Sequence, residues 1–155
     1  MHYFKYFPED YVNGEGQRVS LFLSGCDLQC KGCFNKKAWS PTSGTKVSLG
    51  FYNKLLADLK DSDGLSLLGG EPLDEAKAYQ VTALLAIVKQ SYPDKDIWVW
   101  TGHTFDEVKD HPALKHIDVL IDGRFDIDQP TVKAWRGSDN QRLLRLEGGK
   151  VTSIE

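Results

Sequence analysis

Four short apolar runs, residues 19–23, 65–68, 97–101 and 119–121, are each closed by a glycine-bearing turn and separated by stretches with other patterning. That alternation constrains the fold more than any other feature. Ile97-Trp98-Val99-Trp100-Thr101 has the β-branched and aromatic content of a strand. Between the first two runs, Tyr52, Leu55, Leu56 and Leu59 recur at i, i+3, i+4 and i+7, marking one face of an amphipathic helix that residues 61–64 stop. A second helix is expected over residues 74–91, with Val81, Leu84, Leu85 and Val88 on one face and Pro93 beyond its end. Residues 105–115 hold a short helix at most, because Pro112 interrupts them. Residues 143–146 and 151–154 flank Glu147-Gly148-Gly149-Lys150 and read as a terminal hairpin. Strands alternating with helices build βαβ units, since parallel neighbours need crossover connections. The expectation is an α/β fold with a largely parallel sheet, in one domain spanning all 155 residues.

The polar groups of interest sit just past the strand ends: the cysteines, Gly69-Gly70-Glu71-Pro72, Thr101-Gly102-His103 and Asp122-Gly123. In α/β sheets and barrels that edge is where sites are built. Charge excludes one class of partner. At a net −3, with lysines and arginines scattered, there is no basic field to attract nucleic acid. No apolar run approaches the ~20 residues of a membrane helix, and residues 1–7 lack the features of a secretory signal. A cytoplasmic location without membrane contact is the expectation.

Cys26, Cys30 and Cys33 are the only cysteines, separated by three and then two residues. An odd number within eight positions argues against a disulfide framework and for a metal site. A structural zinc site normally takes four protein ligands, so zinc needs a histidine from among His2, His103, His111 and His116, none at motif spacing. An iron–sulfur cluster also normally takes four cysteines, and three leave one iron open for chemistry. Three inert thiols are the remaining alternative.

The Cys-x3-Cys-x2-Cys loop after a strand resembles the signature of the radical S-adenosylmethionine superfamily. The resemblance implies a 4Fe-4S cluster on Cys26, Cys30 and Cys33, whose open iron is chelated by S-adenosylmethionine. It also implies an incomplete (β/α) barrel and one-electron cleavage of the sulfonium to methionine and a 5′-deoxyadenosyl radical. Gly69-Gly70-Glu71-Pro72 is similar to the superfamily segment that positions the methionine amino group. On the residues alone, paired glycines let a backbone approach a ligand closely and an ammonium needs acceptors; a plain strand-to-helix turn reads equally well.

The flanks Gly14-Glu15-Gly16-Gln17-Arg18 and Asn35 to Trp39 resemble those of glycyl-radical-enzyme activases, which adds Asn35 to the implied cofactor-binding set. Glu15 stands where such proteins often carry proline. Three further segments, beginning at Trp100, Asp118 and Trp135, are similar to the activating proteins of anaerobic ribonucleoside-triphosphate reductase. Phe34 and His103 stand where that family commonly has tyrosine. What this resemblance implies is abstraction of a glycine α-hydrogen on the large reductase subunit, leaving a glycyl radical, with a one-electron donor such as reduced flavodoxin. Rival readings are a small radical enzyme acting on a metabolite, similar to 7-carboxy-7-deazaguanine synthase, and a non-enzymatic metal-binding module. Arg136, Asn140, Gln141 and Arg142 are candidates for lining the site or docking the partner, or form a solvated turn segment, and Asp122 binds a ribose or cation or simply makes an Asp-Gly turn.

Overall fold

The computed structural model describes residues 1–155. Its frame is one eight-stranded sheet: β1 (His2–Asp10), β2 (Arg18–Leu23), β3 (Thr45–Lys46), β4 (Gly64–Gly69), β5 (Asp96–Trp100), β6 (Val119–Asp122), β7 (Arg142–Glu147) and β8 (Lys150–Ile154). The spatial order is β3-β1-β2-β4-β5-β6-β7-β8. The central strands β2, β4, β5 and β6 are parallel, whereas β3, β1, β7 and β8 join antiparallel.

The expected largely parallel sheet is therefore corrected to a mixed one. Only the three central pairings are parallel, against four antiparallel pairings at the flanks. The connections differ in kind: those between the middle strands carry the helices that parallel neighbours need, whereas residues 123–141 between β6 and β7 form no helix and β7 and β8 are joined by a tight turn. The sheet is open, with β3 and β8 as its edges, and does not close into a barrel.

The three crossovers carry α1 (Leu49–Leu59), α2 (Ala78–Ser91) and the short α3 (Phe105–Val108), the last followed by a 3-10 turn at Pro112–His116. Ser48 caps α1, its hydroxyl oxygen accepting from the Phe51 N–H at 3.1 Å. Strand alternation divides the sheet into two faces. Val19, Leu21, Leu65, Leu67, Ile97 and Val99 meet Leu55 and Leu59 of α1 and Leu84 and Leu85 of α2 in the main core. Truncating one of these buried leucines to alanine costs about 2–5 kcal/mol. The opposite face carries a smaller cluster of Trp98, Val119, Ile121 and Leu143, with the Trp135 ring edge-on to Trp98 at 4.9 Å.

Two strands went unread in the sequence, β1 and β3. The cysteine loop consequently follows the second strand of the chain. Pro8 lies within β1 at a register irregularity between Phe7 and Asp10, the kind of position where a missing N–H is tolerated. The second helix also starts later than expected. Glu75–Lys77 form a 3-10 turn before α2 begins at Ala78.

Candidate functional site

Loops from the carboxyl ends of β2, β4 and β5 converge on one cavity of about 180 Å³. Cys26, Cys30, Cys33, Asn35, Gly69, Gly70 and Glu71 all line it, joined by Trp39, Trp100 and Gln141. The convergence follows from topology, because parallel neighbours place successive strand ends side by side. Pro72 is buried behind this wall and does not line the cavity.

Main-chain hydrogen bonds stitch the loops together. The Gly25 and Cys26 N–H groups donate to the Ala38 and Trp39 carbonyls at 2.6 and 3.2 Å, closing the neck of the cysteine loop. The Gly70 N–H donates to Leu23 O and the Glu71 N–H to Gly25 O, both at 2.8 Å. The Asn35 N–H donates to Cys33 Sγ at 3.3 Å, and its side-chain amide reaches Gly69 O at the 3.5 Å outer limit of a hydrogen bond. Asn35 thus spans the two loops. A Cβ on Gly70 would lie 2.6 Å from Gly25 O, so only glycine permits this approach.

Glu71 is 1% exposed, and both its oxygens are engaged. Oε1 accepts from the Gly102 N–H at 2.7 Å, while Oε2 accepts from the Thr101 hydroxyl at 2.7 Å and the Leu73 N–H at 2.9 Å. A carboxylate offers about four acceptor positions, which leaves one for a ligand. Burial pushes the Glu71 carboxyl up, opposed by those donors and by the charge of His103. Burial likewise pushes the Cys26 thiol up, against the Leu28 and Gln29 N–H groups that favour its thiolate. Lys77, near the start of α2, is almost fully buried beneath the loops and donates to Ser24 O and Gly25 O at 3.1 and 2.7 Å.

The cysteines fit an iron–sulfur cluster in kind, being three unpaired thiols on one cavity wall. In position they are not drawn to a point, since no three His, Cys, Asp or Glu side chains lie close enough together to hold a metal ion. Arg124 tethers the loop from outside, its Nη2 donating to Leu28 O at 3.0 Å. Between residues 26 and 35 the only internal main-chain bond runs from the Cys33 N–H to Cys30 O.

A family model described as "4Fe-4S single cluster domain" matches residues 12–144. The anaerobic ribonucleoside-triphosphate reductase-activating protein of Vibrio cholerae is 47% identical over 154 residues, covering 94% of this chain and 99% of its own. Its namesake from Enterobacteria phage T4 is 43% identical over 145 residues, 92% and 93% of the two chains. That of Escherichia coli K12 is 40% identical over 154 residues, 94% and 99%. The chain belongs to the anaerobic ribonucleoside-triphosphate reductase-activating protein family.

In this activating-family chain, none of the four histidines lines the cysteine cavity; His103 follows directly on its lining residue Gly102. Asp122 is not free for a ribose or a cation. It is 1% exposed and accepts from Arg142 through both oxygens at 3.0 and 2.6 Å, and from the Phe105 N–H at 2.8 Å. Of the four C-terminal candidates only Gln141 reaches the cavity; Asn140 donates to Arg124 O, and Arg136 to Ala134 O. Trp98 is core and Trp100 cavity wall. Sequence reasoning missed Leu28, Phe125 and Lys77. Leu28 and Phe125 carry no motif, and a lysine near a helix start reads as exposed charge.

Proposed function

We propose that this chain is a radical S-adenosylmethionine activating enzyme for anaerobic ribonucleoside-triphosphate reductase. One observation carries the reading: the three cysteines and Gly69-Gly70-Glu71 face the same cavity although about 40 residues separate them. Cys26, Cys30 and Cys33 would hold a 4Fe-4S cluster. When bound, it would supply the electron for reductive cleavage of S-adenosylmethionine, the chemistry that would remove a glycine α-hydrogen from the reductase and leave a glycyl radical there.

The protein's part is positioning and exclusion of water. The fourth acceptor position of Glu71, with neighbouring carbonyls, receives the methionine ammonium. Gly69 and Gly70 admit the ligand against main chain, and Pro72 fixes the turn from behind. Asn35 keeps the glycine loop in register with Cys33, and Trp39 and Trp100 wall the cavity. The four sequential parallel strands, with their crossover helices in one core layer, are the portion of an incomplete (β/α) barrel that a single domain of this length retains. An open sheet leaves room for a protein loop to reach the cavity. Reduced flavodoxin or a donor of similar potential supplies the electron, in the cytoplasm.

The test is anaerobic incubation of reconstituted protein with S-adenosylmethionine, a reductant and the large reductase subunit. The expected result is 5′-deoxyadenosine together with a glycyl-radical doublet on the reductase by electron paramagnetic resonance; Cys30→Ala gives neither. Cofactor cleavage by Cys30→Ala at the wild-type rate, or no radical with cluster-loaded wild type, refutes the proposal.

A further inference from the structure

Lys77 occupies a position that ordinary stability would not choose. It stands at the N-cap of α2 without making a side-chain cap there, where Ser, Thr, Asp or Asn is preferred and a cation faces the positive end of the helix. It is also 7% exposed, and its one carboxylate contact, Asp74, is a loose 3.6 Å. Burying a charge without a close counter-ion is costly. Breaches of local rules of this kind concentrate at functional positions.

The ammonium finds three acceptors for its three protons: Ser24 O at 3.1 Å, Gly25 O at 2.7 Å and the Asp74 carboxylate. Gly25 O also accepts the Glu71 N–H at 2.8 Å. That single carbonyl therefore joins α2, the glycine loop and the residue preceding Cys26. Lys77 does not line the cavity, so it touches no ligand there.

We propose that Lys77 is a positioning residue that holds the neck of the cysteine loop through Gly25 O and brings a fixed positive charge beneath it, easing one-electron reduction of the cluster. The inference rests on the reading above that the three cysteines hold a 4Fe-4S cluster. Reduction adds negative charge near the cation, which at 7% exposure is weakly screened by solvent. Removing the cation makes reduction harder, on the order of tenfold in its equilibrium constant, or about 59 mV for a one-electron couple.

The experiment is an anaerobic redox titration of reconstituted full-length protein without S-adenosylmethionine or reductase, with iron content measured in parallel. Lys77→Met and Lys77→Gln are expected to lower the midpoint by about 59 mV, while Lys77→Arg stays near wild type. The glutamine variant separates charge from hydrogen bonding, because it keeps a donor for Gly25 O. A neutral variant that holds a cluster at the wild-type midpoint overturns the inference. If neither neutral variant retains iron, Asp74→Asn decides, with a raised midpoint expected and an unchanged one overturning the proposal. A wild-type protein that takes up no iron overturns the cluster reading itself, whereas loaded wild type with unshifted variants overturns only the role of Lys77.

Discussion

Replacing Arg18 by methionine is expected to cost about 3 kcal/mol of folding stability while leaving iron uptake intact. Arg18 is fully buried. Its Nε donates to the Ser66 hydroxyl at 2.6 Å, Nη1 to Glu15 O at 3.0 Å, and Nη2 to Leu65 O at 2.9 Å and Asp96 O at 3.3 Å. Nη1 also lies 2.8 Å from Asp96 Oδ1, a charge contact and not an aligned hydrogen bond. The guanidinium further covers the Trp98 ring at 5.3 Å. Removing one partner of a buried pair costs about 3–5 kcal/mol. Because the Asp96 side chain is 40% exposed and rehydrates, the lower end applies. For a domain of this size that is a fall of roughly 6–12 °C in Tm, read by far-ultraviolet circular dichroism on the cluster-free protein. Six residues of strand at ~3.3 Å each put roughly 20 Å between Arg18 and the cysteine loop. Iron bound per chain after anaerobic reconstitution in the cold should therefore match wild type. A stability loss below about 1 kcal/mol refutes the clamp, and lost iron binding in a folded variant refutes its separation from the site.

Gly70→Ala pushes a Cβ to within 2.6 Å of Gly25 O, so S-adenosylmethionine affinity is expected to fall at least about tenfold in a binding titration with iron content little changed; unaltered affinity would remove the glycine loop from the cofactor site. Asp122→Asn weakens the pair with the half-exposed Arg142 and is expected to lower stability by about 1–2 kcal/mol in urea unfolding with cofactor cleavage unchanged; lost cleavage in a folded variant would refute its structural role. His111 accepts the Ala113 N–H on Nδ1, and burial, helped by the charge of His103, holds its pKa down. The unfolded chain then binds the proton more readily, so stability falls as pH drops below about 6.5. Tm measured from pH 7.5 to 5.5 should show that fall, and His111→Gln should reduce it, leaving the part due to His116, whose pKa burial also holds down.

The two long helices were legible from the period of their buried faces and the central strands as short apolar runs buried on both sides, while the terminal hairpin was legible from its Gly148-Gly149 turn. So were the two loops that meet at the cavity, since strand ends of parallel neighbours must lie together. β1 escaped because its aromatic residues do not alternate cleanly with polar ones and Pro8 reads as a breaker. β3, two residues long, exists only by pairing with β1. Burial of Asp122 and the Arg142 partnership could not be read either, because they depend on β6 meeting β7 antiparallel. The Gly14-Glu15-Gly16-Gln17-Arg18 segment was legible as a family flank but not as a clamp. Its partners Ser66 and Asp96 lie 48 and 78 residues away.

The stitched neck of the cysteine loop also sets the loop apart from the body of the fold. The large core contains neither a cysteine nor any residue between positions 26 and 39, so the packing that holds the body together owes nothing to what the cysteines carry.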